Sequence, residues 1–233
     1  MQPDVRYMSR DAVAAEQQRF MVRVYNWMTA GLALTGAMAY YVANNETMLK
    51  LIFGNMAIPI ILVIAQLGLV FWLAGWVQRM SASQATGVFL LYAGLMGLTL
   101  SSIFVIYTTA SVAWTFFVTA GTFGALSLYG YVTKRDLSGM GQFLFMGLVG
   151  LILCYIANMF IQSASFDFAL NMIGILIFAG LTVYDTQKIK QMNILGNEGT
   201  EEDTKEAIRG ALTLYLDFIN LFLHLLRFMG DRR

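Results

Sequence analysis

Charge, cysteine, proline and histidine are all scarce in this chain of 233 residues. Only 12% of its residues are charged, where soluble domains carry about 25%, and 58% are hydrophobic. That balance places the chain in a bilayer. The net charge of +1 leaves no basic surplus for nucleic acid. One cysteine, Cys154, excludes both a disulfide framework and a cysteine-based metal site, and its apolar surroundings read as a buried, inert thiol. Of the two prolines, Pro59 falls in the first turn of an apolar stretch, where a missing N–H is harmless. The single histidine, His224, reads as a hydrogen-bonded packing residue before it reads as a metal ligand.

What the chain has instead is a series of long uncharged runs. Met1 to Arg23 is polar, and Val24 to Asn45 follows with 22 uncharged residues. That run exceeds a signal-peptide core of about 7 to 15 residues and suffices for a hydrocarbon core of about 30 Å, so residues 1–23 are expected as a retained tail before span one. Glu46 and Lys50 mark a turn, and Ala57 to Val77 is span two. Met80 to Thr133 runs 54 residues without a charge. As one helix it would be about 80 Å long, so it must fold back, with Tyr107 to Ser111 as the turn between spans three and four. Lys134, Arg135 and Asp136 close span four. Leu137 to Phe166 supplies span five and Phe166 to Asp185 span six. A long hydrophilic loop, Lys188 to Arg209, reads as a solvated linker carrying Glu198, Glu201, Glu202 and Asp203.

The last helix completes an all-α membrane domain over 24–229, with a short tail at 230–233. Eleven of the 15 Lys and Arg residues fall on the side of the N-terminus, which the positive-inside rule puts in the cytoplasm. Arg227, Arg232 and Arg233 run against a seventh crossing and leave six spans with a re-entrant last helix as the alternative; seven is the expectation. Glycine pairs such as Gly121 with Gly124 and Gly147 with Gly150 are expected at tight helix contacts.

Polar residues in the last helix concentrate on one face. At about 100° per residue, Arg209, Thr213, Asp217, Asn220, His224 and Arg227 fall within about 80° of one another. A charge in mid-span costs at least about 2.5 kcal/mol, so this stripe should face other helices or water. Asp167, Asn171, Gly174, Thr182 and Asp185 share one side of span six, with Asp167 at the outer surface. If the two faces meet, Asp185 and Asp217 approach each other in the cytoplasmic half and share a proton, as a latch or, when both are charged, a transient calcium site. The plainer reading has Asp185 capping a helix end and Asp217 bonding a hydroxyl such as Thr182 or Tyr184.

Gly180–Ile189, GLTVYDTQKI, and Ala211–Leu223, ALTLYLDFINLFL, resemble the Bax inhibitor-1, or transmembrane Bax-inhibitor-motif, family in its bacterial branch. The resemblance covers nearly the whole chain. It implies seven helices with the last surrounded by the other six, in a bacterial inner membrane. It also implies a pH-sensitive calcium leak governed by the aspartates at Asp185 and Asp217. On the reading of the polar faces, Arg209, Thr213, Asn220 and His224, with Thr182 and Arg79, are expected to line or support the path, and no cofactor is expected. Bacterial relatives are linked to a membrane-bound ATP-dependent protease, which makes a non-conducting regulator the alternative. One departure stands out: an acidic residue often found in span two is Gln66 here, and Arg79 is the one basic candidate near that span's end. Paired aspartates also occur in intramembrane aspartyl proteases, but the Gly-Xaa-Gly-Asp and Pro-Ala-Leu segments of those enzymes are absent, so no enzyme is expected.

Overall fold

The computed structural model describes residues 9–233; the first eight positions of the expected N-terminal tail lie outside the described residues. Among the described residues the chain is helical throughout, with one isolated bridge between Tyr107 and Arg232. The helices are α1 (Arg10–Ala43), α2 (Glu46–Phe53), α3 (Ala57–Trp76), α4 (Ala82–Leu100), α5 (Ile103–Ile106), α6 (Thr109–Val132), α7 (Ser138–Ile161), α8 (Ala164–Met192) and α9 (Glu201–Met229). Six of them, α3, α4, α6, α7, α8 and α9, are long and apolar enough to cross a membrane, and α9 is the most buried of the six.

Local chemistry sets the boundaries. Ser9 caps α1 by accepting from the Ala12 N–H at 3.2 Å. Residues from Arg10 onward are therefore helix continuous with the first expected span: 34 residues, about 51 Å long. Asn45 caps α2, an eight-residue helix where a simple turn was expected. Ser81 and Gln84 form a reciprocal capping box at the start of α4. Thr108 caps α6 inside the expected hairpin turn. Gln162 ends α7 in the left-handed region at φ 54.

The hydrophilic loop is much shorter than its composition suggests. Helix α8 continues to Met192 and α9 begins at Glu201, so only residues 193–200 connect them. The first turn of α9 is Glu201, Glu202 and Asp203, acidic side chains that suit the positive end of a helix dipole, and the Thr200 hydroxyl accepts from the Asp203 N–H at 3.2 Å. Nor is the segment a solvated linker: Asp203, Lys205 and Glu206 are buried.

The chain divides into two compact units. The first comprises the described chain from Ser9 to Ile106 together with Met192–Tyr215. There α4 packs on α1 and on α3. A Cβ on Gly97 would sit 2.7 Å from the Thr35 carbonyl oxygen, so α1 and α4 approach closely only because Gly97 has none. The Thr35 hydroxyl lies 2.8 Å from the Ala93 carbonyl and 2.7 Å from the Tyr215 hydroxyl. With one proton to give, it donates to a carbonyl and accepts from Tyr215. Gln66 is buried, and its amide donates to the Leu95 carbonyl at 3.0 Å and the Thr99 hydroxyl at 2.6 Å, tying α3 to α4. The 193–206 segment is clasped to α1: Arg19 pairs bidentately with Glu198 at 2.7 and 2.9 Å, Arg23 reaches Asp203 at 2.8 Å, and the Gly196 N–H donates to Glu16 at 2.7 Å.

The second unit comprises Tyr107–Gln191 and Leu216–Arg233. Gly130 lies against the Val183 carbonyl, Gly141 under the Tyr184 ring and Gly174 under the His224 ring, in each case where a Cβ would collide. The glycine pairs expected at tight contacts do not make them. A Cβ on Gly121, Gly124 or Gly150 would meet nothing, and one on Gly147 would make only ordinary contact with Ile177. Spacing alone does not say which helix face a neighbour covers. The C-terminal residues fold back onto the α6 start, where the Thr108 N–H donates to the Asp231 carbonyl at 3.1 Å and the Asp231 N–H to the Ser111 hydroxyl at 2.9 Å.

Candidate functional site

Within the second unit the polar face of α8 meets that of α9. Asp185 is half-buried on α8, seven residues before the helix ends, so it does not cap a terminus. Asp217 on α9 is 5% exposed. Their carboxyl groups lie within hydrogen-bonding reach of each other. Asp217 Oδ2 is buried without a hydrogen-bond donor. A carboxylate oxygen only accepts, so a bond between these two groups exists only when one of them holds a proton. Of the hydroxyls near this face, those of Thr182 and Thr186 give their protons to carbonyls of their own helix rather than to an aspartate. Thr182 donates to the Phe178 carbonyl at 2.8 Å, and Thr186 donates to the Thr182 carbonyl at 2.7 Å.

No arginine of this unit forms an ion pair with either aspartate. The cation that acts on Asp185 is Lys188, one helical turn further along α8, with its ammonium 5.5 Å from the Tyr184 ring centroid. Among the described residues no cluster of three or more His, Cys, Asp or Glu side chains could hold a metal ion. Calcium takes about six to eight oxygen ligands, so two carboxylates alone suit a passing ion rather than a resident one.

A model of the family described as inhibitor of apoptosis-promoting Bax1 matches residues 17–233. The chain belongs to the Bax inhibitor-1 family. It is similar to the inner membrane protein YbhL of Escherichia coli K12, with 53% identity over 217 residues that cover 93% of each chain. It is 46% identical to a Rickettsia prowazekii protein, covering 93% of this chain and 91% of that one. A Borreliella burgdorferi protein is 44% identical, covering 93% and 94%. The Bax inhibitor-1 fold read from the sequence is thus an all-helical integral membrane protein, with Gln66 in α3 serving as a neutral tie to α4.

The other residues singled out from the sequence have separate surroundings. Asn220 donates to the Leu216 carbonyl of its own helix at 2.8 Å. His224 is held by Asn171, whose carbonyl oxygen lies 2.8 Å from Nδ1 and whose amide donates to the His224 carbonyl at 3.0 Å. Arg79, Arg209 and Thr213 belong to the first unit. Arg79 is exposed on a short 3-10 turn, Arg209 is exposed, and the Thr213 hydroxyl donates to the Arg209 carbonyl at 3.2 Å. Sequence reading missed Lys188, Tyr155 and the clamping role of Asn171. Lys188 was within its reach, since it lies three residues from Asp185 on the same helix face. Tyr155 gives no such signal, because its ring meets His224 from another helix.

Proposed function

We propose that this Bax inhibitor-1 protein is a proton-controlled cation leak, with calcium as its substrate, of a bacterial inner membrane. The observation that carries the reading is the facing of Asp185 and Asp217, deep in apolar helices, with one Asp217 oxygen lacking a donor. Two carboxyl groups in such surroundings do not both ionise at low cost, so one proton holds them together. Losing it sets two negative charges face to face, which drives α8 and α9 apart and at the same time offers hard oxygen ligands to a divalent cation. Proton uptake and cation binding therefore compete for the same atoms. The reading takes α1 as the first of seven spans with the N-terminus in the cytoplasm and α9 at the centre. The length of α1, the bias of Lys and Arg, and the inner-membrane assignment carried by the name of the E. coli relative support it.

The test is calcium flux into proteoliposomes from neutral to acid pH, comparing the wild type with Asp185→Asn and Asp217→Asn at matched protein content. Flux that depends on pH in the wild type and loses that dependence in either variant supports the reading. Flux with the same pH profile in all three proteins, or in none of them, refutes it.

A further inference from the structure

The far end of the α8 and α9 contact holds a second polar arrangement, built around the one histidine of the chain. His224 is 9% exposed and Asn171 3%. The His224 ring is stacked with Phe178 at 5.6 Å and with Tyr155 at 6.2 Å between centroids, tilted 30° and 29°. It also lies on Gly174, where any Cβ would overlap it. An imidazole set among two rings and a glycine has little freedom to turn.

Asn171 then decides where its proton sits. Its amide nitrogen donates to the His224 carbonyl at 3.0 Å, and its carbonyl oxygen lies 2.8 Å from Nδ1. Turning the amide over would set carbonyl against carbonyl, so the orientation is fixed by a group that only accepts. An oxygen facing Nδ1 requires Nδ1 to be the donor. The proton of the neutral ring is therefore on Nδ1, and Nε2 keeps a lone pair. No hydrogen bond to Nε2 is found among the described residues, so that lone pair is available.

We propose that His224 is a second proton-binding site of this protein, fixed by Asn171 as the Nδ1–H tautomer with Nε2 as the acceptor. Charged and titratable groups reach it from three helices. Arg227 lies on its own helix, Asp167 on α8 and Tyr155 on α7. The Tyr155 hydroxyl is buried, and the Arg227 guanidinium lies 5.7 Å from the Tyr155 ring centroid. Proton uptake at Nε2 has to charge a buried ring, a cost that the Arg227 cation adds to and the Asp167 carboxylate offsets, while Nδ1–H keeps its bond to Asn171. The site takes up a proton without breaking its clamp, unlike the aspartate pair, which a proton joins.

A single histidine makes the test direct. Protein labelled with 15N-histidine in lipid nanodiscs gives one imidazole in long-range 1H–15N correlation spectra. The expected result near neutral pH is the Nδ1–H pattern, turning on acidification into the doubly protonated ring while circular dichroism shows the helices intact. Asn171→Leu should replace the single tautomer with a mixture, and Arg227→Gln and Asp167→Asn should move the titration in opposite senses. An Nε2–H pattern in the wild type overturns the proposal. So does a ring that stays neutral down to the pH at which the helices unfold, which marks it as a packing residue. The readout sees proton uptake whether or not the protein conducts, so it stands or falls apart from the leak.

Discussion

Removing the Arg23 guanidinium should destabilise the clasp far more than removing that of Arg19, although the two arginines are four residues apart on one helix. Arg23 lies 2.8 Å from an Asp203 carboxylate whose side chain is 1% exposed. Once Arg23 is truncated to Met, Asp203 keeps the Gly199 N–H at 2.9 Å and the cap bond of its own N–H, but no cation. Stranding a fully buried charge costs about 3 to 5 kcal/mol. The Arg23 side chain is 31% exposed, so water replaces part of what is lost, and the expected cost falls to about 2 kcal/mol, in the range of one charge-assisted hydrogen bond. Arg19 and Glu198 are 55% and 34% exposed, and their loss should scarcely register. Thermal unfolding in nanodiscs measures the difference: about 4 to 8 °C for Arg23→Met, from the usual scaling for a chain of this size, against little for Arg19→Met. The Arg23→Met, Asp203→Asn double variant should cost less than the sum of the singles. Equal losses for the two arginine variants, or strict additivity in the double, would refute the reasoning.

The same clasp has a defined response to acid and salt. The hydrogen bond from Arg19, aided by Arg23, holds the Glu198 carboxyl below the usual glutamate value of 4.5. Its contribution is therefore complete above 4.5 and is lost as the pH falls through the lowered value, so the protection of the 193–200 amides against hydrogen exchange, corrected for the intrinsic rate at each pH, should hold through mild acid and weaken with rising salt. Thr35→Val removes the bonds to Ala93 and Tyr215 and should cost about 1 to 2 kcal/mol at the usual strength of interhelical bonds in membranes, read as a lower unfolding temperature. Gly97→Ala sets a Cβ against the backbone of α1 and should cost about 1 to 3 kcal/mol, while Gly121→Ala, with nothing in reach, should be neutral within about 0.5 kcal/mol in the same assay.

Where the bilayer dictates the pattern, the sequence was enough. The span drawn at Ala57 to Val77 is α3, Ala57–Trp76, and the turn drawn at Tyr107 to Ser111 contains the cap of α6. An uncharged run has only one low-cost conformation in lipid, so its ends are legible. The 193–206 segment was not legible because a clasped charge and a solvated one are the same letter. Arg23 and Asp203 meet across 180 residues, and nothing local announces it. The glycines failed for a related reason. Gly121 and Gly124 have the spacing of a contact motif, yet the glycines in close contact include Gly31, Gly97, Gly130, Gly141, Gly174 and Gly180, chosen by the neighbour each one meets. The carboxyl pair could be read because both helices carry one polar face, and two such faces in lipid must find each other or water.

The groups on that face nevertheless differ in what they offer a cation. A helical wheel groups residues by angle alone, whereas a path for cations needs oxygens that are not already committed. Along the part of α9 in the second unit, the Asn220 amide nitrogen donates to its own helix and leaves only a neutral oxygen, and the His224 ring, which has no oxygen to offer, is held by Asn171. Asp217 alone retains an oxygen buried without a donor. If calcium is drawn by free oxygens rather than by general polarity, substitutions along the stripe should differ sharply in the flux assay. Asp217→Asn should abolish the pH response. Asn220→Leu, which removes a bond internal to α9, should leave the response in place and lower flux by less than about tenfold, the equivalent of 1.4 kcal/mol. Equal effects from the two would mean that the whole stripe acts as a wetted wall, and the aspartate pair would lose its special place.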